Sequence, residues 1–77
     1  MSTVSSSEAR NEVVGLKLRI MRRERGETLR QVGDAIGVRF QHVSDWEAGK
    51  HGISLRHAVK LARHFGVNPN DFLPPEQ

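Results

Sequence analysis

Residues 28–50 read Thr-Leu-Arg-Gln-Val-Gly-Asp-Ala-Ile-Gly-Val-Arg-Phe-Gln-His-Val-Ser-Asp-Trp-Glu-Ala-Gly-Lys. Thr28 and Gln31 have the S/T-x-x-E/Q spacing of a capping box, in which each side chain satisfies the other's backbone N–H as a helix begins. Leu29, Val32, Gly33 and Ile36 then recur on one face of that helix. Gly33 inside a helix costs about 1 kcal/mol relative to Ala. Its presence predicts close approach of another backbone at that point. Gly37 ends the helix as a C-cap. The short connection Gly37-Val38-Arg39 leads into a second short helix, which starts at Arg39 or Phe40, runs to Ala48 and is stopped by Gly49. Val43, Trp46 and Glu47 share one side of it, and Phe40, Gln41, Ser44 and Asp45 lie largely on the other.

The flanking segments are helical too. From about Glu8 to Arg25, Val14, Leu18 and Met21 fall at i, i+4 and i+7, and Gly26 follows as a cap. Arg22, Arg23 and Arg25 suit the negative end of that helix dipole. A second apolar stripe, Val13, Leu16 and Ile20, lies about a third of a turn away. It reads either as surface apolars around an ordinary core or as a subunit contact. Ser54 is an N-cap for a helix whose stripe is Leu55, Ala58, Leu61, Ala62 and Phe65, closed by Gly66. Asn68 and Pro69 start a last segment, in which Asp71 complements the dipole and Phe72 and Leu73 dock into the core. No β-alternation occurs. The expectation is an all-α fold, a compact five-helix domain over residues 8–73. Residues 1–7 are expected to form a disordered Ser-rich tail, and 74–77 a C-terminal tail.

Composition narrows the function. Seventy-seven residues allow one small domain and exclude a two-lobed catalytic cleft. Zero Cys excludes disulfides and thiolate zinc sites. No 18-residue apolar run or signal-peptide pattern is present, so a cytoplasmic location without membrane contact is expected. Twelve Lys and Arg against nine acids give a net charge of +3. That balance favours an anionic partner, nucleic acid first.

Two short helices joined by a three-residue connection have the spacing of a helix-turn-helix, which lays its second helix in the DNA major groove. That groove is about 12 Å wide and admits one helix. The reading helix must therefore protrude, with Val38, Val43 and Trp46 anchoring it from behind.

From Val14 to Leu73 the chain resembles the lambda repressor/Cro-like (XRE) helix-turn-helix family. The residues that carry the likeness are Leu18, Met21, Arg22, Thr28, Val32, Ile36, Gly37, Val43, Ser44, Trp46-Glu47-Ala48-Gly49-Lys50, Leu61-Ala62 and Phe65-Gly66-Val67. The resemblance implies a five-helix lambda-repressor-like domain that binds operator DNA, usually as a dimer. It implies a structural ion pair between Arg22 and Glu47. It also places base-reading positions at Phe40, Gln41, Ser44 and Asp45, with Arg39 at the helix entrance. The chain departs from the family pattern at Leu29 (commonly Gln), Gly33 (Ala), Arg39 (Ser or Thr) and Ile53 (Pro).

The chemistry of those residues fits groove reading. Gln can bond adenine bidentately, Phe can pack on a thymine methyl, Arg can reach guanine or a phosphate, and Asp can accept from cytosine. Phe40 could instead fold back onto the core, and Asp45 could pair with a neighbouring Arg. His42 reads as a solvated or phosphate-facing residue. Helix N-termini bind anions, so phosphate contacts are expected from Thr28, Arg30, His42, Lys50 and Ser54. Four His are scattered, and no Ser-His-Asp arrangement is framed by a strand-turn-helix elbow, so neither an enzyme, a metal site nor a cofactor is expected. The expected function is a transcriptional regulator, a repressor or autoregulator on an inverted-repeat operator, encoded by a prokaryote, phage or plasmid. The alternative is an antitoxin-type or bridging module that binds a partner protein, such as a toxin, as well as DNA.

Overall fold

The chain folds as four α-helices and one 3-10 turn in a computed structural model that describes residues 6–73, with side-chain surroundings from Ala9 onward. The helices are α1 (Ser6–Glu24), α2 (Leu29–Ile36), α3 (Phe40–Glu47) and α4 (Leu55–Phe65). Helix α1 begins two residues earlier than the apolar periodicity marks, within the segment expected to be tail. The rest of the two expected tails, residues 1–5 and 74–77, lies outside the described residues.

The expected fifth α-helix is a correction. Pro69–Phe72 forms a single 3-10 turn, closed by Asp71 N–H to Asn68 O at 2.9 Å and Leu73 N–H to Asn70 O at 3.2 Å. Leu73 precedes Pro74, and a residue before proline is disfavoured in the α region. Leu73 is accordingly extended, with φ −106° and ψ 148°, so the turn stops before an α-helix can form.

The caps match the sequence chemistry. Thr28 Oγ1 accepts from the Gln31 N–H at 3.0 Å, and Gln31 Oε1 accepts from the Thr28 N–H at 2.8 Å. Gly37 and Gly66 cap α2 and α4 in the left-handed conformation. Arg39 starts α3 without a side-chain cap bond.

The core is built from one stripe of each helix: Val14 and Leu18, Val32 and Ile36, Val43 and Trp46, then Ala58, Leu61, Ala62 and Phe65. Phe72 from the 3-10 turn and Ile53 from the α3–α4 loop complete it. Among the described residues no polar or charged residue is buried as a whole, and no buried side-chain polar atom lacks a partner.

Two glycines set the positions of the helices. A methyl added at Gly33 would lie 2.6 Å from the Val38 carbonyl oxygen and 3.3 Å from the Phe40 nitrogen. Helix α2 therefore rests directly on the turn and on the start of α3, the backbone approach the sequence predicts. Gly15 does the same for α1. A methyl there would collide with the Trp46 carbonyl oxygen and stand 2.7 Å from that of Glu47. Helix α1 thus lies backbone-close on the last turn of α3.

Candidate nucleic-acid interface

Helix α3 shows two faces. Val43 is fully buried and Trp46 is 6% exposed, both in the core. Arg39, Phe40, Gln41 and His42 are exposed, while Ser44 and Asp45 are half-buried. The N-terminal half of α3 therefore projects from the domain, and its C-terminal half is clamped. This follows from the two glycine contacts and the Val43/Trp46 spacing. A helix pinned from behind at two points can be pushed into a groove without bending.

The clamp at the far end is ionic. Arg22 Nε donates to Glu47 Oε2 at 2.6 Å, and Arg22 Nη2 donates to Glu47 Oε1 at 3.0 Å. The remaining fork nitrogen, Nη1, donates to the Glu27 carbonyl at 2.9 Å. This is the bidentate geometry in which arginine surpasses lysine. The side chains are only 12% and 7% exposed. The hydrogen bond to Glu47 raises the Arg22 guanidinium above its ordinary range, outweighing the opposing effect of burial. One arginine thus ties α1, the α1–α2 loop and the end of α3 together.

Around the projecting half, the other sequence-predicted residues fall in two groups. Thr28 and Arg30, at the start of α2, sit beside Phe40. The Arg30 guanidinium carbon lies 5.6 Å from the Phe40 ring centroid. Phe40 is 43% exposed and does not fold onto the core. At the other end, Asp45 faces Lys50 Nζ and His51 Nε2, each at 4.0 Å, rather than an arginine. Ser54 caps α4: its hydroxyl accepts from the His57 N–H at 3.4 Å and lies 3.0 Å from His57 Nδ1. Part of the capacity of Thr28 and Ser54 for an anion is therefore already committed to helix caps. His42 is exposed, with its ring 6.4 Å from that of Trp46, and Trp46 lies 5.1 Å from the His57 ring.

Burial holds the His57 imidazole below its ordinary 6.5, reinforced by the positive charges of Lys60 and Arg56. The folded state therefore favours neutral His57, and the unfolded chain takes up the proton more readily. The resulting stability is full above the unfolded value, near pH 6.5, and is lost as pH falls below it. Thermal melts from pH 7.5 to 5 should show the melting temperature falling on acidification, and His57→Gln should flatten that decline. An equal slope in the variant contradicts the assignment.

Two grooves flank the start and middle of α3. One, about 440 Å³, is lined by Arg22, Glu27, Thr28, Leu29, Arg30 and Phe40. The other, about 370 Å³, brings Ser44 together with Arg19, Arg23, Leu29 and Glu47. Arg19 Nε stands 3.9 Å from Glu47 Oε1. Sequence reasoning missed Arg19. Its signal was the i, i+4 spacing with Arg23, both on the helix that carries Arg22. Leu29, where the family commonly has Gln, lines both grooves. Val13, Leu16 and Ile20 are 52%, 54% and 47% exposed on α1 and line neither groove. Among the described residues no cluster of His, Cys, Asp or Glu could hold a metal ion, and no helix is long and apolar enough to cross a membrane.

Four α-helices among the described residues, with a short one projecting after a tight turn and arginines beside it, define a domain of the helix-turn-helix class. The helix-turn-helix family model matches residues 18–72, most of the chain. The chain belongs to the helix-turn-helix family, of the lambda repressor/Cro-like (XRE) type, and acts as a DNA-binding transcriptional regulator. The fold is similar to that of the restriction-modification controller protein C.AhdI from Aeromonas hydrophila, at 25% identity and a TM-score of 0.77 over 84% of this chain and 98% of that one. It is also similar to the clp gene regulator ClgR from C. glutamicum, at 27% identity and a TM-score of 0.72 over 80% of each chain. The DNA-binding domain of BldD is 26% identical, with a TM-score of 0.72 over 92% of this chain and 100% of that one. No curated protein matches the chain significantly.

Proposed function

We propose that the chain is a sequence-specific cytoplasmic repressor or autoregulator, not an enzyme, that binds an inverted-repeat operator as a dimer with α3 in the major groove. The observation that carries this reading is the projection of Arg39, Phe40 and Gln41 from a helix pinned at Gly33, Gly15 and the Arg22–Glu47 pair. Gln41, Phe40, Ser44 and Asp45 read base edges, and Arg39 reads a base or a phosphate at the helix entrance. Thr28, Arg30, His42, Lys50 and Ser54 hold the flanking phosphates, which position the domain without specifying sequence. The similarity to proteins named as a controller and a gene regulator supports the regulatory role.

Selection from a random duplex library tests the reading. It should return one motif in two inverted half-sites about one helical turn apart. Affinity for that site should fall steeply with salt as phosphate counterions are released. Recovery of no motif, or binding insensitive to salt, would overturn the proposal.

Val13, Leu16 and Ile20 form the proposed dimer contact, since three half-exposed apolar side chains on one helix face lose water when two copies meet. Leu16→Glu should leave a folded monomer in sedimentation, with binding weakened on the two-half-site duplex. An unchanged sedimentation profile rejects this face as the interface.

A further inference from the structure

The Arg30–Phe40 stack assigns Arg30 a second task. We propose that Arg30 is a positioning residue for sequence readout, holding the Phe40 ring in place so that its uncovered side meets a thymine methyl. The inference rests on the reading of α3 as the groove helix. Three observations carry it.

First, the guanidinium sits 5.6 Å from the ring centroid, within the range of cation–π attraction. Second, the two residues are held in fixed relation. Arg30 is the second residue of α2 and Phe40 the first of α3. The helices carrying them meet at Gly33, where the backbone of α2 rests on Val38 and Phe40. Third, Phe40 is 43% exposed and has Arg30 on one side. Phe40 opens the projecting helix and is not packed into the core, although Leu29 and Thr28 line the same groove. The arginine lies over the ring and restricts it further. A methyl contact requires the ring to be in one place, because dispersion fades within an ångström of its optimum distance. Arg30 therefore contributes twice: its charge draws the phosphate backbone, and its stacking fixes the ring that reads the base.

The two contributions separate experimentally. The probes are the duplex selected by the full chain and copies in which single thymines are replaced by deoxyuridine, which removes only the 5-methyl group. Wild type should lose about fourfold in affinity at one thymine per half-site, the worth of one buried methyl. Phe40→Ala should abolish that ratio. Arg30→Ala should weaken binding to both duplexes and also reduce the thymine-to-deoxyuridine ratio to below about twofold, because an exposed cation–π contact is worth only a few-fold. Equal weakening of the two duplexes by Arg30→Ala, with the ratio intact, overturns the proposal and leaves Arg30 a phosphate contact alone. So does a wild-type protein indifferent to every thymine methyl, or a ratio that survives in Phe40→Ala. Failure to select any duplex overturns the parent reading instead. Both side chains are on the surface, and unchanged thermal melts verify that the variants fold.

Discussion

Replacing Glu47 with alanine should lower the stability of the domain by about 3 kcal/mol, because it strands the Arg22 guanidinium in a site where that side chain is 12% exposed. For a domain of this size each kcal/mol shifts the melting temperature by roughly 4–8 °C, so a drop of about 12–24 °C is expected in calorimetry. The asymmetry of the pair sharpens the test. An exposed ion pair would cost about 0–1 kcal/mol when broken. Replacing both partners with apolar residues of similar volume should recover most of the loss, since no charge then remains without its partner. A melting temperature within about 3 °C of wild type for Glu47→Ala would show that the pair is only a surface contact. The expected loss is large because three elements meet at one side chain. Arg22 also donates to the Glu27 carbonyl, so its release loosens the α1–α2 loop along with the end of α3.

Gly15→Ala should destabilise the domain as well, which is the opposite sign to an ordinary Gly→Ala change in a helix. Helix propensity alone would favour alanine by about 1 kcal/mol. The added methyl, however, meets the Trp46 carbonyl oxygen and lies 2.7 Å from that of Glu47, and neither is a flexible side-chain end. Relieving that clash means moving α1 away from α3, at an overpacking cost of about 1–3 kcal/mol, and so breaking the geometry of the Arg22–Glu47 pair. The expected result is a net loss of up to about 2 kcal/mol in denaturant unfolding, with operator affinity falling because α3 is no longer held at its angle. A variant that is more stable than wild type would show that α1 and α3 can separate at little cost.

These two effects show where the sequence was legible. The capping box at Thr28 and Gln31, the apolar faces of α2 and α4, and the glycine after each helix are local signals. Each was read from spacings of three or four residues, and each is present in the fold. Gly33 was legible for the same reason, because a glycine within a strong helix pattern implies a close backbone contact. Gly15 also stands inside a helix pattern, but the surface it meets is not legible from it. Its partner carbonyls lie more than thirty residues away, and nothing local identifies them. The 3-10 turn at Pro69–Phe72 was read as a helix because Pro69 and Asp71 are good start signals. Those signals mark where the segment begins and Pro74 where it must end, but not which hydrogen-bond pattern so short a segment takes.

The candidate site divides along the same line. The exposed positions Phe40 and Gln41 follow from the two faces of a short helix. The stacking of Arg30 on Phe40 and the place of Arg19 beside Glu47 depend on how two helices cross, and the engagement of Asp45 with Lys50 and His51 depends on the path of the loop after α3. Spacing within one helix carries no such information. The family departure at Leu29 removes a polar group from the start of α2. Arg30, one position on, is the residue that reaches Phe40.

The claim that α3 reads bases while its surroundings hold phosphates is tested most directly by comparing two alanine variants on the selected operator and on a panel of its single-base variants. Gln41→Ala should erase the preference at one base pair per half-site, a loss of about 1–3 kcal/mol in discrimination, and leave the other positions ranked as before. Lys50→Ala should weaken every duplex by the same factor and reduce the slope of affinity against salt by about one. Unaltered binding in both variants, or a Gln41→Ala protein that weakens all sequences equally, would place the reading surface elsewhere on the domain.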